Sequence, residues 1–145
     1  MKKVIIIVTF IWIGFVSSIS FMESWLKFQA PNITTKLGIG IGKIVFEALN
    51  KVEIAFVSII IICFTIIMLK YKRLYFSHAL SISIFLLLLQ TFWLLPALSH
   101  RATQIIQDIK VPKSNLHFLF VLFEILKIGC LTVFGIKLLN TKNMY

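Results

Sequence analysis

The chain has 145 residues and a net charge of +10; 59% of it is hydrophobic and 14% charged, with a mean hydropathy of +0.99. A soluble domain is roughly 45–50% apolar and about 25% charged, so one water-soluble core of this length has no place for so much apolar surface. Lipid is the expected solvent, and disorder, collagen, coiled coil and disulfide scaffold are excluded by composition.

A membrane-crossing helix needs roughly 20 mostly apolar residues, and four stretches qualify: about 4–22, 45–69, 79–98 and 116–139. The expected fold class is all-α. It is a four-transmembrane-helix bundle, with an interfacial segment between helices 1 and 2, forming a single integral membrane domain over 1–145. The first span admits two readings. Lys2-Lys3, an apolar core and the small residues Ser18 and Ser20 have the form of a secretory signal peptide. The run continues through Phe21 and Met22 to an interface anchor at Trp25, and this favours a retained helix. After it, Trp25, Leu26 and Phe28 with Lys27 read as a piece lying in the interface. Ala30-Pro31-Asn32 breaks it, because proline cannot continue a helix and restricts its predecessor. Thr34 or Thr35 then caps a new helix, which runs straight into the second span and, on the order of 30 residues long, exceeds what the bilayer needs.

The cations cluster at the ends of these runs. In a soluble protein an excess of this size points to nucleic acid. Here it points to lipid head groups and topology, so the bilayer is the expected partner and nucleic acid is not. One face holds both termini and the Lys70-Tyr71-Lys72-Arg73 connection; with Lys2, Lys3, Lys137 and Lys142 it carries seven cations and no acid. The compact cation clusters place both termini in the cytoplasm; the expected location is a bacterial inner membrane. Cys63 and Cys130 lie within apolar runs and read as small packing residues.

Gly38-Ile39-Gly40-Ile41-Gly42 lacks the spacing and the preceding strand of a dinucleotide fingerprint. On a helix Gly38 and Gly42 share a side and admit a close neighbour. Lys43, Glu47 and Lys51 recur at i, i+4 and read as a solvated or interfacial ion-pair ladder. Asn32-Ile33-Thr34 matches a glycosylation sequon, a short and common pattern.

The fourth span is the most informative. Glu124 lies seven residues beyond His117, roughly 10 Å along the axis, and Lys127 is nearly one turn deeper. Such groups cost on the order of 2.5–3.5 kcal/mol each in a membrane unless they pair or face water. Glu124 and Lys127 can pair at i, i+3. Glu53 enters from the same face and reaches toward Lys127 or His117. The expected site is therefore a polar cluster of Glu53, His117, Glu124 and Lys127, joined by Asn50 and Gln90. It reads either as a buried ion-pair network fixing helix register or as a site for a proton, metal or ligand.

No nucleophile elbow, His-Glu-x-x-His, paired Cys-x-x-Cys or kinase-like pattern is present, and neither enzyme activity, cofactor nor metal is expected. His78 falls at the opposite face from His100 and His117, so the three do not form one ligand set. The three function classes are, in order, binding or permeation of a small ligand or ion through the polar cluster, a structural or partner-binding subunit of a membrane complex, and a haem- or copper-handling redox protein. A homo-oligomer or a membrane partner is compatible with so small a bundle.

These residues carry a resemblance. Gly14-Phe15, Phe28-Gln29-Ala30-Pro31, Gly42-Lys43-Ile44-Val45-Phe46, Trp93-Leu94-Leu95-Pro96-Ala97-Leu98 with Arg101, and His117 followed by Glu124 and Lys127 together resemble the small bacterial membrane family called domain of unknown function 4149. That family is similar to eukaryotic transmembrane protein 205 and, more distantly, to copper-resistance D-type membrane proteins. The resemblance covers nearly the whole chain and implies four helices in an integral membrane bundle, with no established chemistry. The copper and haem relatives use histidines within their helices; this chain has none deep inside a span.

Overall fold

The computed structural model describes residues 1–72 and 77–141, and within them the chain is four long helices. They are α1 (Lys2–Gln29), α2 (Thr35–Tyr71), α3 (His78–Ile106) and α4 (Leu116–Asn140), each long and apolar enough to cross a membrane. The all-α, four-helix expectation holds. Arg73 and Lys142, two of the cations used for topology, lie outside the described residues.

Each helix packs against its neighbours in chain order, and α1 closes the ring against α4. The first residues and Thr141 share one end, where the Lys2 ammonium donates to the Thr141 carbonyl. The bundle is apolar outside as well as inside. Phe92, Phe118, Leu69 and Ile44 are exposed, as side chains facing lipid tails must be. Trp12, Leu49, Ile60, Leu87 and Phe134 fill the centre. Polar side chains point inward: Thr9, Asn50, Glu53, Ser83, Gln90, Glu124 and Lys127 are all buried.

Boundaries differ from expectation where polar residues prolong a helix. α1 does not stop at 22; it passes through a π-helical stretch at Ser18–Glu23 and ends in a 3-10 turn, Lys27–Gln29. The expected interfacial piece is thus the tail of α1, with Trp25, Leu26 and Phe28 about half exposed. The break at Ala30-Pro31-Asn32 is as expected, with Asn32 in the left-handed region at φ 64°. Asparagine tolerates that conformation at little cost. Thr34 caps α2, its hydroxyl accepting from the Leu37 amide at 3.2 Å. The 37 residues of α2 extend about 55 Å, well beyond the roughly 30 Å of hydrocarbon.

α3 carries the device that shapes the bundle. Its first half packs on α4 and its second half on α2. Between them lies a π-helical turn, Gln90–Leu94. One residue more than an α-turn rotates the following face by about 100°, which re-aims the helix from one neighbour to the other. Pro96 follows two residues on. It has no N–H for the Phe92 carbonyl, and the loosened turn accommodates that loss. The added length continues past 98 to Ile106, because Ser99 and Thr103 find partners on α2.

Gly135 sets the approach of α4 to α1. A Cβ there would meet the Phe10 ring at 3.0 Å, whereas nothing lies within 4 Å at Gly129. Gly135→Val should lower stability by about 1–3 kcal/mol through overpacking. Gly129→Ala should be neutral or stabilising, by up to about 1 kcal/mol, because it removes glycine's entropy cost in a helix. Thermal unfolding in detergent, followed by circular dichroism, checks both.

Candidate functional site

Two features occupy the interior: a closed polar network at mid-bundle and an open cavity at the end opposite the termini. The network is centred on Lys127 of α4, whose side chain is fully buried. Its ammonium lies 2.5 Å from Glu53 Oε1 of α2 and 3.1 Å from Glu124 Oε1, one turn back on α4. It donates a third bond, 2.7 Å, to Gln90 Oε1 of α3. The Gln90 amide in turn donates to Glu124 Oε1 at 2.6 Å, and the Trp12 indole of α1 donates to Glu53 Oε1 at 2.8 Å. Every helix contributes, and all three ammonium hydrogens have acceptors. This is how buried charge becomes tolerable in an apolar medium. One oxygen is left over: Glu124 Oε2 is buried without a hydrogen-bond partner.

Four of the six expected cluster residues are brought together here: Glu53, Glu124, Lys127 and Gln90. The other two lie apart. Asn50 donates to Thr91 Oγ1 at 2.8 Å, outside the Lys127 network. His117, two turns before Glu124, lines the cavity, and among the described residues no hydrogen bond links it to the cluster. Trp12 was not among the expected members. Its signal in the sequence is position, since it sits in the middle of an apolar span instead of at the interface where membrane tryptophans gather.

The cavity measures about 370 Å³. The tail of α1, the start of α2, the end of α3 and the start of α4 enclose it. Its polar lining includes Lys27, Lys43, Arg101 and His117, together with Ser24, Ser99 and Ser114. Its apolar lining includes Phe28, Phe46 and Phe120, of which the last two meet edge to face at 5.2 Å. None of the Lys127 network lines it. Phe120, one turn before Glu124, stands between cavity and network.

The glycines of α2 work on this cavity. A Cβ at Gly38 would stand 2.1 Å from the Phe28 ring, and one at Gly42 would stand 2.7 Å from Lys27 Nζ. The close neighbour that the glycine pair admits is thus the tail of α1, which closes one wall. The expected ladder of Lys43, Glu47 and Lys51 does not form along α2. Glu47 accepts from Ser99 Oγ at 2.9 Å and Lys43 donates to Thr103 Oγ1 at 3.1 Å, both across to α3. Hydroxyls on a packed neighbour outcompete i, i+4 pairs worth only a few tenths of a kcal/mol. The ion pairs at this end are Lys27 with Glu23 at 3.3 Å and Lys36 with Asp108 at 2.5 Å.

Among the described residues no three His, Cys, Asp or Glu side chains are placed to hold a metal ion. His78 begins α3 at one end of the bundle, while His100 and His117 lie toward the other. Cys63 is buried and Cys130 half-buried, and both are free.

Fold and site together define a multi-pass membrane protein with a polar lock at its centre and a cavity at one end. No protein-family model, no curated protein and no solved structure matches the chain.

Lys127→Met should cost about 3–5 kcal/mol, because two buried carboxylates lose their cation. Replacing Glu53, Glu124 and Lys127 together by Gln, Gln and Met should recover most of that loss, since no uncompensated charge remains. Trp12→Phe should cost less, about 1.5–3 kcal/mol, the range for a hydrogen bond to a charged group. Denaturant unfolding of the detergent-solubilised protein orders the three.

Proposed function

We propose that the protein is a ligand-binding membrane protein whose site is the end cavity, held in shape by the Lys127 network. The observation that carries this reading is the cavity itself. Its volume of about 370 Å³ lies within the roughly 300–1,000 Å³ range of small-molecule sites. Its apolar lining with a few convergent polar groups is the usual composition of such sites. A cluster sealed at Lys127 and Glu124 is suited to fixing register, and a cavity open at the bundle end is suited to taking a ligand. The end carrying Lys2, Lys3, Lys70 and Lys72 is assigned to the cytoplasm of a bacterial inner membrane on the basis of its clustered cations. The cavity then faces the opposite side.

The test is retention of a small molecule by the purified full-length chain. Native mass spectrometry from a mild non-ionic detergent should find wild-type protein carrying a bound species that Ala102→Phe, filling the cavity wall, loses with an unchanged helical circular-dichroism spectrum. Equal retention by both proteins, or none by either, overturns the reading.

A second reading is favoured by the unpartnered Glu124 Oε2. Two carboxylates face one ammonium, and the spare oxygen makes the cluster an ion site in the path of a permeating cation or proton. Glu124→Gln should then abolish ion flux in proteoliposomes while the protein stays folded. A folded variant with unaltered flux, or a wild type that passes no ion, removes this reading.

A further inference from the structure

We infer that the ligand of this cavity is a single-chain anionic amphiphile, with a phosphate or carboxylate head held by Lys43, Arg101 and His117 and its chain against the phenylalanines; this rests on the cavity being a ligand site. The charge pattern is the first argument. No acid lines the cavity. Of the acids next in sequence to lining residues, Glu23 is committed to Lys27 and Glu47 accepts from Ser99. Lys43 and Arg101 have no carboxylate partner among the described residues. Lys43 donates to a hydroxyl and Arg101 Nη2 to the Pro112 carbonyl at 2.6 Å. Two full cations thus border a cavity partly screened from water, with a neutral partner each. An anion entering there gains charge-assisted hydrogen bonds without displacing an existing ion pair.

The second argument is the apolar side. Phe28, Phe46 and Phe120 line the same cavity as these cations. Lys27 Nζ lies 5.6 Å from the Phe28 ring centre and 5.7 Å from that of Phe46. A small hydrophilic anion has no use for such a lining. A head group with a chain attached satisfies both halves. A volume of about 370 Å³ is at the small end of the roughly 300–1,000 Å³ range of small-molecule sites, which suits a head and part of one chain. Ile44 and Phe118, next in sequence to lining residues, are exposed on the outer surface, where the rest of a chain would lie in lipid.

The full-length protein in a neutral detergent is titrated with dodecyl phosphate, inorganic phosphate and dodecyltrimethylammonium, and bound species are counted by native mass spectrometry. One dodecyl phosphate should bind, and Ala102→Phe should abolish it. Lys43→Gln with Arg101→Gln should weaken it at least tenfold, while Lys43→Arg with Arg101→Lys should restore it. Added salt should weaken it in the wild type as well, since the pocket is near the surface, and this readout needs no variant to fold. Inorganic phosphate binding as tightly as dodecyl phosphate would overturn the amphiphile. Equal retention of the ammonium amphiphile, or indifference to the glutamine pair and to salt, would overturn the anion. Both outcomes leave an Ala102-sensitive ligand site standing. If no probe and no co-purified species is sensitive to Ala102→Phe, the cavity reading itself fails.

Discussion

Lys127 is the group on which the rest of the structure depends. An ammonium at the centre of a membrane bundle has no water to turn to. It must find acceptors on its neighbours or carry a penalty of several kcal/mol. It finds Glu53, Gln90 and Glu124. The same Glu53 oxygen, Oε1, also accepts from the Trp12 indole. Packing between apolar helices in lipid is weakly directional, because lipid tails are as apolar as leucine. A network with at least one member from each helix allows one rotation and one depth for each. Sliding any helix by a turn would strand a buried charge or cost a buried charge one of its hydrogen bonds.

The π-helical turn in α3 solves a conflict that the network creates. Gln90 must face Lys127 on α4, yet further along the same helix Ser99 and Thr103 must face Glu47 and Lys43 on α2. A regular α-helix of this length does not serve both neighbours with these residues. The turn at Gln90–Leu94 inserts the needed rotation at the point where the network ends. The consequence reaches the end of the bundle. Because the second half of α3 leans on α2, space opens between it, the start of α4 and the tail of α1. The cavity is the result, and Phe46 against Phe120 closes its inner side.

Lock and cavity divide the polar residues between them. The acids and the ammonium at mid-bundle pair with one another, Glu124 Oε2 alone being left over, and none of them lines the cavity. Lys43, Arg101 and His117 lie at the mouth, where head groups and water begin. Gly38 and Gly42 let the tail of α1 lie against α2 and bring Lys27 and Phe28 to the same mouth. The positive charge of the chain, which at its ends meets the surface of the bilayer, is here gathered around a volume.

Much was determined by the sequence alone. Four runs of apolar residues force four helices, because a backbone in lipid must satisfy its own hydrogen bonds. Pro31 and Thr34 mark the break and the restart by local rules of backbone geometry and capping. The depth of Glu53, Glu124 and Lys127 announces that they must meet, since nothing else would make their burial tolerable. Other features were decided only in three dimensions. Trp12 joins the network and His117 leaves it for the cavity through the relative rotation of helices, which no single helix records. The π-helical turns, the reach of α3 beyond 98 and the pairing of Lys43 with Thr103 instead of Glu47 all follow from a neighbouring helix offering partners that local spacing cannot foresee. The cavity is the clearest case. It is empty space between four helix ends, and its lining is drawn from four separated stretches of the chain.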